Sequence, residues 1–151
     1  MAKKTKDLQY YEGLGRRKEA IARVRLYIVD KDKTVTISGN KLKAGEVYVN
    51  KKPADLTFPA IVEKNIYLAP LKLTENENRF ATMILVRSGG RSGQLDAIAL
   101  GLARAIEKVD KEAYRPVLKK SGLFTRDSRK RERRKVGTGG KARRAKQSPK
   151  R

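Results

Sequence analysis

The chain has no cysteine and no histidine. The first absence excludes disulfides, thiolate metal sites and cysteine nucleophiles. The second removes the Ser-His-Asp triad and most zinc and haem sites. Negative charge is scarce, with 16 Asp plus Glu against 38 Lys plus Arg, a formal charge of +22. No apolar run approaches the roughly 18 residues that a membrane helix needs. Nothing apolar follows Met1-Ala2-Lys3-Lys4-Thr5-Lys6-Asp7 to make a signal peptide. A chain of 151 residues with this profile is expected to be one ordinary domain with tails, soluble, intracellular and strongly cationic. No catalytic, cofactor-binding or metal-binding residue is expected, and neither a membrane nor a small-molecule substrate is an expected partner.

The acids that are present support that expectation. Glu12, Glu19, Asp96, Glu107 and Asp110 show no pairing pattern for acid–base work and read as counter-charges on a basic protein. Gly139-Gly140-Lys141 superficially resembles a phosphate-binding loop. Ala142 stands where that loop needs Ser or Thr, and Lys135 where it needs its first glycine, so the motif is excluded.

What the chain does have is positive charge, unevenly placed. Residues 1–29 carry a net +5, residues 30–118 a net +4, and residues 119–151 a net +13. From Thr125 to Arg151 the apolar side chains are Val136, Ala142 and Ala145. Such a segment cannot offset an ordering cost of about 1–2 kcal/mol per residue, so alone it should be disordered. A polyanion could order it, because each phosphate contact releases condensed counterions. Its cations are Lys119, Lys120, Arg126, Arg129, Lys130, Arg131, Arg133, Arg134, Lys135, Lys141, Arg143, Arg144, Lys146, Lys150 and Arg151. Phe124, at its start, is the one bulky aromatic, so backbone phosphate contact rather than base stacking is the expected mode. No amphipathic Trp/Leu face accompanies the charge, which argues against a membrane surface.

The middle of the chain reads as an α+β domain. Val24, Leu26 and Ile28 alternate with Arg23, Arg25 and Tyr27, predicting a strand with one buried face. Thr34–Ser38 repeats the alternation before a Gly39-Asn40 turn, and Glu46–Val49 predicts a third short strand. Pro59 at a first helical position, followed by Ala60, Ile61, Val62, Ile66 and Leu68, predicts a short helix broken by Pro70. Arg79–Arg87 is the candidate central strand. Then Leu95, Ile98, Ala99, Leu102, Ile106 and Val109 fall on one helical face, with Ser92 as candidate N-cap and Pro116 just past the stop. Gly101 inside that helix costs about 1 kcal/mol against Ala and points to close packing.

Two further clusters are candidates for contact with phosphate. Gly89-Gly90-Arg91-Ser92-Gly93 opens onto a helix N-terminus, which favours an anion; a plain strand-to-helix turn is the other reading. Arg16-Arg17-Lys18 follows a glycine turn, and Arg23 and Arg25 extend it along one face of the next strand. Arginine suits phosphate because its planar fork donates two parallel hydrogen bonds.

Taken in order, these residues resemble the bacterial type of the small-subunit ribosomal protein nine family over about residues 10–151. The resemblance rests on Gly15-Arg16-Arg17-Lys18 with Ala22-Arg23-Val24, on Val49-Asn50, and on Gly89-Gly90 with Ser92-Gly93-Gln94. It continues through Arg115-Pro116, Leu118-Lys119-Lys120-Ser121-Gly122, Glu132-Arg133, Lys141-Ala142-Arg143-Arg144 and Lys150-Arg151. It implies a small mixed sheet of about four strands with helices packed on one face, like the second domain of ribosomal protein five, plus a long extended basic tail. Composition and charge divide the chain into an N-terminal extension (1–6), a globular domain (7–118) and a basic tail (119–151), and the resemblance implies that this tail penetrates RNA.

The implied role is a non-enzymatic constituent of the small-subunit head, in the cytoplasm or an organelle with a bacterial-type ribosome. The implied partners are ribosomal RNA of the 3′ major domain, P-site transfer RNA, and neighbouring proteins such as ten and fourteen. On that pattern Arg115, with the cations named above from Arg16 to Lys146, would contact ribosomal RNA, and Lys150 and Arg151 the transfer RNA. Val136 and Pro149 depart from the family's usual residues. Residues 30–45 look like an extra hairpin extension. A DNA-compacting, linker-histone-like protein is the alternative that shares the charge.

Overall fold

The computed structural model describes residues 3–5, 8–29, 34–37 and 39–135. Eight strands and four helices lie among them: β1 (Lys3–Thr5), β2 (Leu8–Arg17), β3 (Ala20–Ile28), β4 (Val35–Ile37), β5 (Asn40–Leu42), β6 (Val47–Val49), β7 (Lys52–Pro53), α1 (Ala54–Thr57), α2 (Ile61–Leu73), β8 (Phe80–Arg87), α3 (Arg91–Glu107) and α4 (Lys111–Lys120). The main sheet runs β1-β2-β3-β8-β6-β7, and β4-β5 forms a separate hairpin. All main-sheet pairs are antiparallel except β6 with β8, so the sheet is mixed, of six strands rather than about four. Arg79–Arg87 does supply a central strand.

Strand alternation sorts the side chains onto two faces. Ala20, Ala22, Val24 and Leu26 of β3 and Phe80, Ile84 and Val86 of β8 are buried against the helices. α3 adds Leu95, Ile98, Leu102 and Ile106 to that core. The approach is close enough to require glycine. A Cβ on Gly15 would stand 1.8 Å from the Ala97 carbonyl oxygen, and one on Gly13 2.1 Å from that of Gly101. Gly101 in turn faces Val24, where a Cβ would come within 2.9 Å of Cγ2. Helix backbone thus lies directly on strand backbone, the close packing expected at Gly101.

The opposite face is covered over only part of its area. Tyr27 and Val29 are buried there with Tyr10 and Ala81, beneath Ile37 and Leu42 of the β4–β5 hairpin. Ile28, expected to be buried, is 50% exposed at the end of its strand, and the hairpin covers Tyr27 instead.

Three helix expectations are corrected. α2 runs through Pro70 instead of breaking there, and it buries Tyr67, Pro70 and Leu71. It starts at Ile61 with Ala60 as N-cap, so Pro59 lies ahead of the helix rather than at its first position, and Ile61 and Val62 are 77% and 70% exposed. α3 begins at Arg91 with Gly90 as N-cap, not Ser92, because Ser88 and Gly89 take positive φ (59° and 72°) and turn the chain sooner; Val109 lies beyond its end. The sequence also gave no notice of α4. Asp110 caps it, accepting from the Glu112 and Ala113 amides at 3.0 and 3.1 Å, and Pro116 sits inside it on the exposed side. A Schellman stop ends it. Gly122 at φ 72° lets its amide reach the Lys119 carbonyl (3.0 Å) while Leu123 N–H reaches Leu118 (3.2 Å). Lys119 and Lys120 are therefore helical, and the division expected after residue 118 falls within α4. Among the described residues no helix is long and apolar enough to cross a membrane.

Candidate nucleic-acid interface

Arg16 and Arg17 leave β2 on opposite sides and meet different fates. Arg16 is exposed. Arg17 has a side chain only 14% exposed, wedged between α3 and the segment that follows α4. Its Nε donates to Asp96 Oδ2 at 3.3 Å and its Nη2 pairs with Asp127 Oδ2 at 2.8 Å. Its Nη1 donates to the Arg129 carbonyl at 3.0 Å. One guanidinium thus joins β2, α3 and the first basic residues after α4.

Asp127 is the hub of that arrangement. Arg129 hydrogen-bonds it through its side chain at 2.8–3.1 Å and through its backbone amide at 2.9 Å. Those bonds, Arg129 first and the charge of Arg17 last, hold the Asp127 carboxyl well below the usual carboxylate range despite a small opposing effect of burial. Lys130 lies 3.9 Å from Glu19 across the β2–β3 turn. Phe124 and Leu123 pack on the main core, with the Arg115 guanidinium 6.0 Å from the Phe124 ring. Phe124, counted above with the basic segment, is therefore anchored to the folded part.

Other expected phosphate ligands are also engaged within the chain. Arg25 donates to Glu12 at 3.1 Å and lies over the Tyr10 ring at 4.8 Å. Arg91 forms a two-pronged pair with Glu63, Nη2 to Oε2 at 2.8 Å, while Glu63 also accepts from the Ala60 amide at the start of α2. The Arg91 hydrogen bond is the chief cause of the lowered Glu63 pKa. Arg115 pairs with Glu107. Glu12, Glu19, Asp96 and Glu107 are counter-charges, as their sequence context predicts, and Asp110 is a cap instead.

The exposed cations define the remaining surface. Arg16, Lys18, Arg23, Lys119, Lys120, Arg126, Arg131 and Arg133 are exposed and make no ion pair among the described residues. Arg134 and Lys135 are exposed as well. Lys141, Arg143, Arg144, Lys146, Lys150 and Arg151 lie outside the described residues, as do Val136, Pro149, Lys31 and Lys33. Arg87 and Lys51 are exposed on the sheet side and were missed in sequence. Strand register, which places Arg87 beside Ile21, was the signal needed to find the first. Arg104 and Lys108 do a different job. They cap the stretch of β2 that extends past its pairing with β1, donating to the Leu14 and Glu12 carbonyls at 2.7 and 2.6 Å.

No group of three or more metal-ligating side chains occurs among the described residues. The profile of the family described as ribosomal protein S9/S16 matches residues 15–151. The chain belongs to that family. The small ribosomal subunit protein uS9 of Dehalococcoides mccartyi is 42% identical over 128 residues, covering 85% of this chain and 86% of the relative. Its counterpart in Bifidobacterium animalis subsp. lactis is 42% identical over 139 residues, covering 92% of this chain and 76% of the relative. The ribosomal S9/S16 match starts at Gly15, just before the exposed Arg16, and takes in all of the basic C-terminal segment.

Proposed function

We propose that this chain is a structural, non-enzymatic constituent of the small ribosomal subunit, carried on the ribosome in the cytoplasm or an organelle of bacterial descent. Its folded domain, through about Asp127, docks on ribosomal RNA of the head, and the segment beyond runs as an extended cationic strand between RNA helices. Lys150 and Arg151 reach the anticodon stem of P-site transfer RNA, and head proteins such as ten and fourteen are its neighbours. The observation that carries this reading is the span of the family match: it runs through residue 151 and so includes the segment with net charge +13.

The mechanism is charge neutralisation guided by shape. Phosphates packed closely in folded RNA repel one another, and Lys and Arg relieve that repulsion while releasing counterions. A segment with few apolar side chains has no core to preserve and can follow an irregular channel. If about ten phosphates are engaged, log affinity for a head-domain RNA transcript falls against log salt with a slope of roughly −7 to −9. A slope near −2, or equal competition by duplex DNA, overturns the proposal. Deleting Gln147–Arg151 is expected to spare incorporation into the subunit and to weaken P-site transfer-RNA retention modestly. Failure of assembly on that deletion would make those residues scaffold rather than a transfer-RNA contact.

A further inference from the structure

Among the described residues, the helix-free face of the sheet is exposed beyond the β4–β5 hairpin. Register aligns Leu14, Arg23 and Leu85 in one row across β2, β3 and β8, with Ile21 and Arg87 in the next. Leu14 and Ile21 are 40% and 41% exposed. A depression of about 310 Å³ lies among Leu14, Ile21, Leu85, Arg23 and Arg87. Arg23 also borders a second hollow of about 150 Å³, whose far side carries Lys51. Arg23 therefore divides two adjoining hollows, one floored by aliphatic side chains and one edged by a lysine.

We propose that this face seats one unpaired nucleotide of the ribosomal RNA, its base over Leu14, Ile21 and Leu85 against the Arg23 guanidinium, with neighbouring phosphates at Arg87 and Lys51. The proposal rests on the ribosomal reading above and adds a site to it. Solvent-facing strand positions are ordinarily polar, so three adjoining aliphatic side chains call for an apolar occupant. Charge selects which one. The face carries Arg23, Arg25, Arg87 and Lys51 against Glu12, and Glu12 is already paired with Arg25 at 3.1 Å. An apolar protein segment would leave Arg23, Arg87 and Lys51 desolvated without counter-charge, whereas a nucleotide brings flat apolar surface and phosphate together. The base must be unpaired, because an A-form duplex turns its base faces inward. Stacking falls to arginine, since Tyr10 and Tyr27 on this face are buried under the hairpin.

The test uses the full chain and a head-domain transcript of small-subunit RNA, with filter binding across salt and chemical probing of base reactivity. Leu14→Thr with Leu85→Thr keeps strand propensity and should weaken binding about tenfold at unchanged salt slope, with one unpaired base losing its protection. Arg23→Ala should weaken binding at least as much and, because its charge stands between the phosphates at Arg87 and Lys51, make the slope shallower by up to about 0.7, the single-strand value. Arg23→Lys should restore the slope but not the protection, because lysine has no planar face. Arg133→Ala serves as the distant control and should alter the slope alone. Matching thermal melts establish that each variant is folded. Wild-type affinity in the double leucine variant, or weaker binding with no base changing reactivity, overturns the seat while leaving the ribosomal reading intact. Failure of the wild type to bind the transcript at all overturns both.

Discussion

One sheet presents two faces built on opposite principles. Toward α3 the side chains of β2 and β3 are mostly glycine, alanine and valine, and backbone touches backbone; on the other face, beyond the strip the hairpin covers, they are leucine, isoleucine and arginine, and most stand exposed. The difference comes from parity alone: Gly13, Gly15 and Arg17 point one way from β2, and Glu12 and Leu14 the other. It shows that a residue's neighbours in sequence say less about its task than its place in the alternation. Arg16 and Arg17 are chemically the same, yet Arg17 is tied into the fold by two carboxylates and a carbonyl.

The sharpest way to break the contrast is to add one carbon on the closed face. Gly15→Ala would force its Cβ against helix backbone and is expected to cost about 3 kcal/mol or more, read as a loss of urea midpoint. Next in size is the arginine pair. Arg17→Ala should destabilise by about 2 kcal/mol and open the chain near Arg129 to limited proteolysis, because it removes charge-assisted bonds from a largely buried guanidinium. Arg16→Ala should fall within about 0.5 kcal/mol of wild type. If the two variants melt alike, the division of labour between them is refuted.

A smaller gain is available on the closed face. Thr82 is fully buried on β8 and its hydroxyl has no partner among the described residues. Thr82→Val should therefore raise stability by about 1 kcal/mol in the same denaturation assay. The subtlest effect concerns pH. The Asp127 carboxyl is held below its ordinary value of about 3.9, so its contribution is complete above that value and is lost as pH falls below it toward the depressed folded value. A carbon-detected NMR titration should find Asp127 still ionised below the ordinary carboxylate range. Arg129→Ala should return it toward the normal range, and no change in that variant would mean that Arg129 is not the cause.

Much of this was legible in the sequence because it depends on periodicity. The central strand, the long helix with its tight Gly101 and the arginine face of β3 all follow from spacing that survives in one dimension. α4 was hidden because its apolar content is confined to Ala113, Tyr114, Val117 and Leu118, and because Pro116 reads as a terminator when it only interrupts one hydrogen bond. α2 misled in the opposite sense. Its apolar residues Ile61 and Val62 face outward, and tertiary packing on Tyr67 and Leu71 decided the buried side. The site divided similarly: the basic residues were visible, but which of them were already partnered depended on Asp96, Asp127, Glu63 and Glu107, all distant in sequence or on another element.

The knot of Arg17, Asp96 and Asp127 gives the basic segment a fixed point of departure. If the folded domain docks on ribosomal RNA as proposed, this anchor would start the cations after Arg129 close to their phosphates and make their engagement an intramolecular step governed by local concentration. Cutting the anchor at Arg17 would leave every cation after Arg129 in the chain and, on that reading, should still slow the second stage of docking.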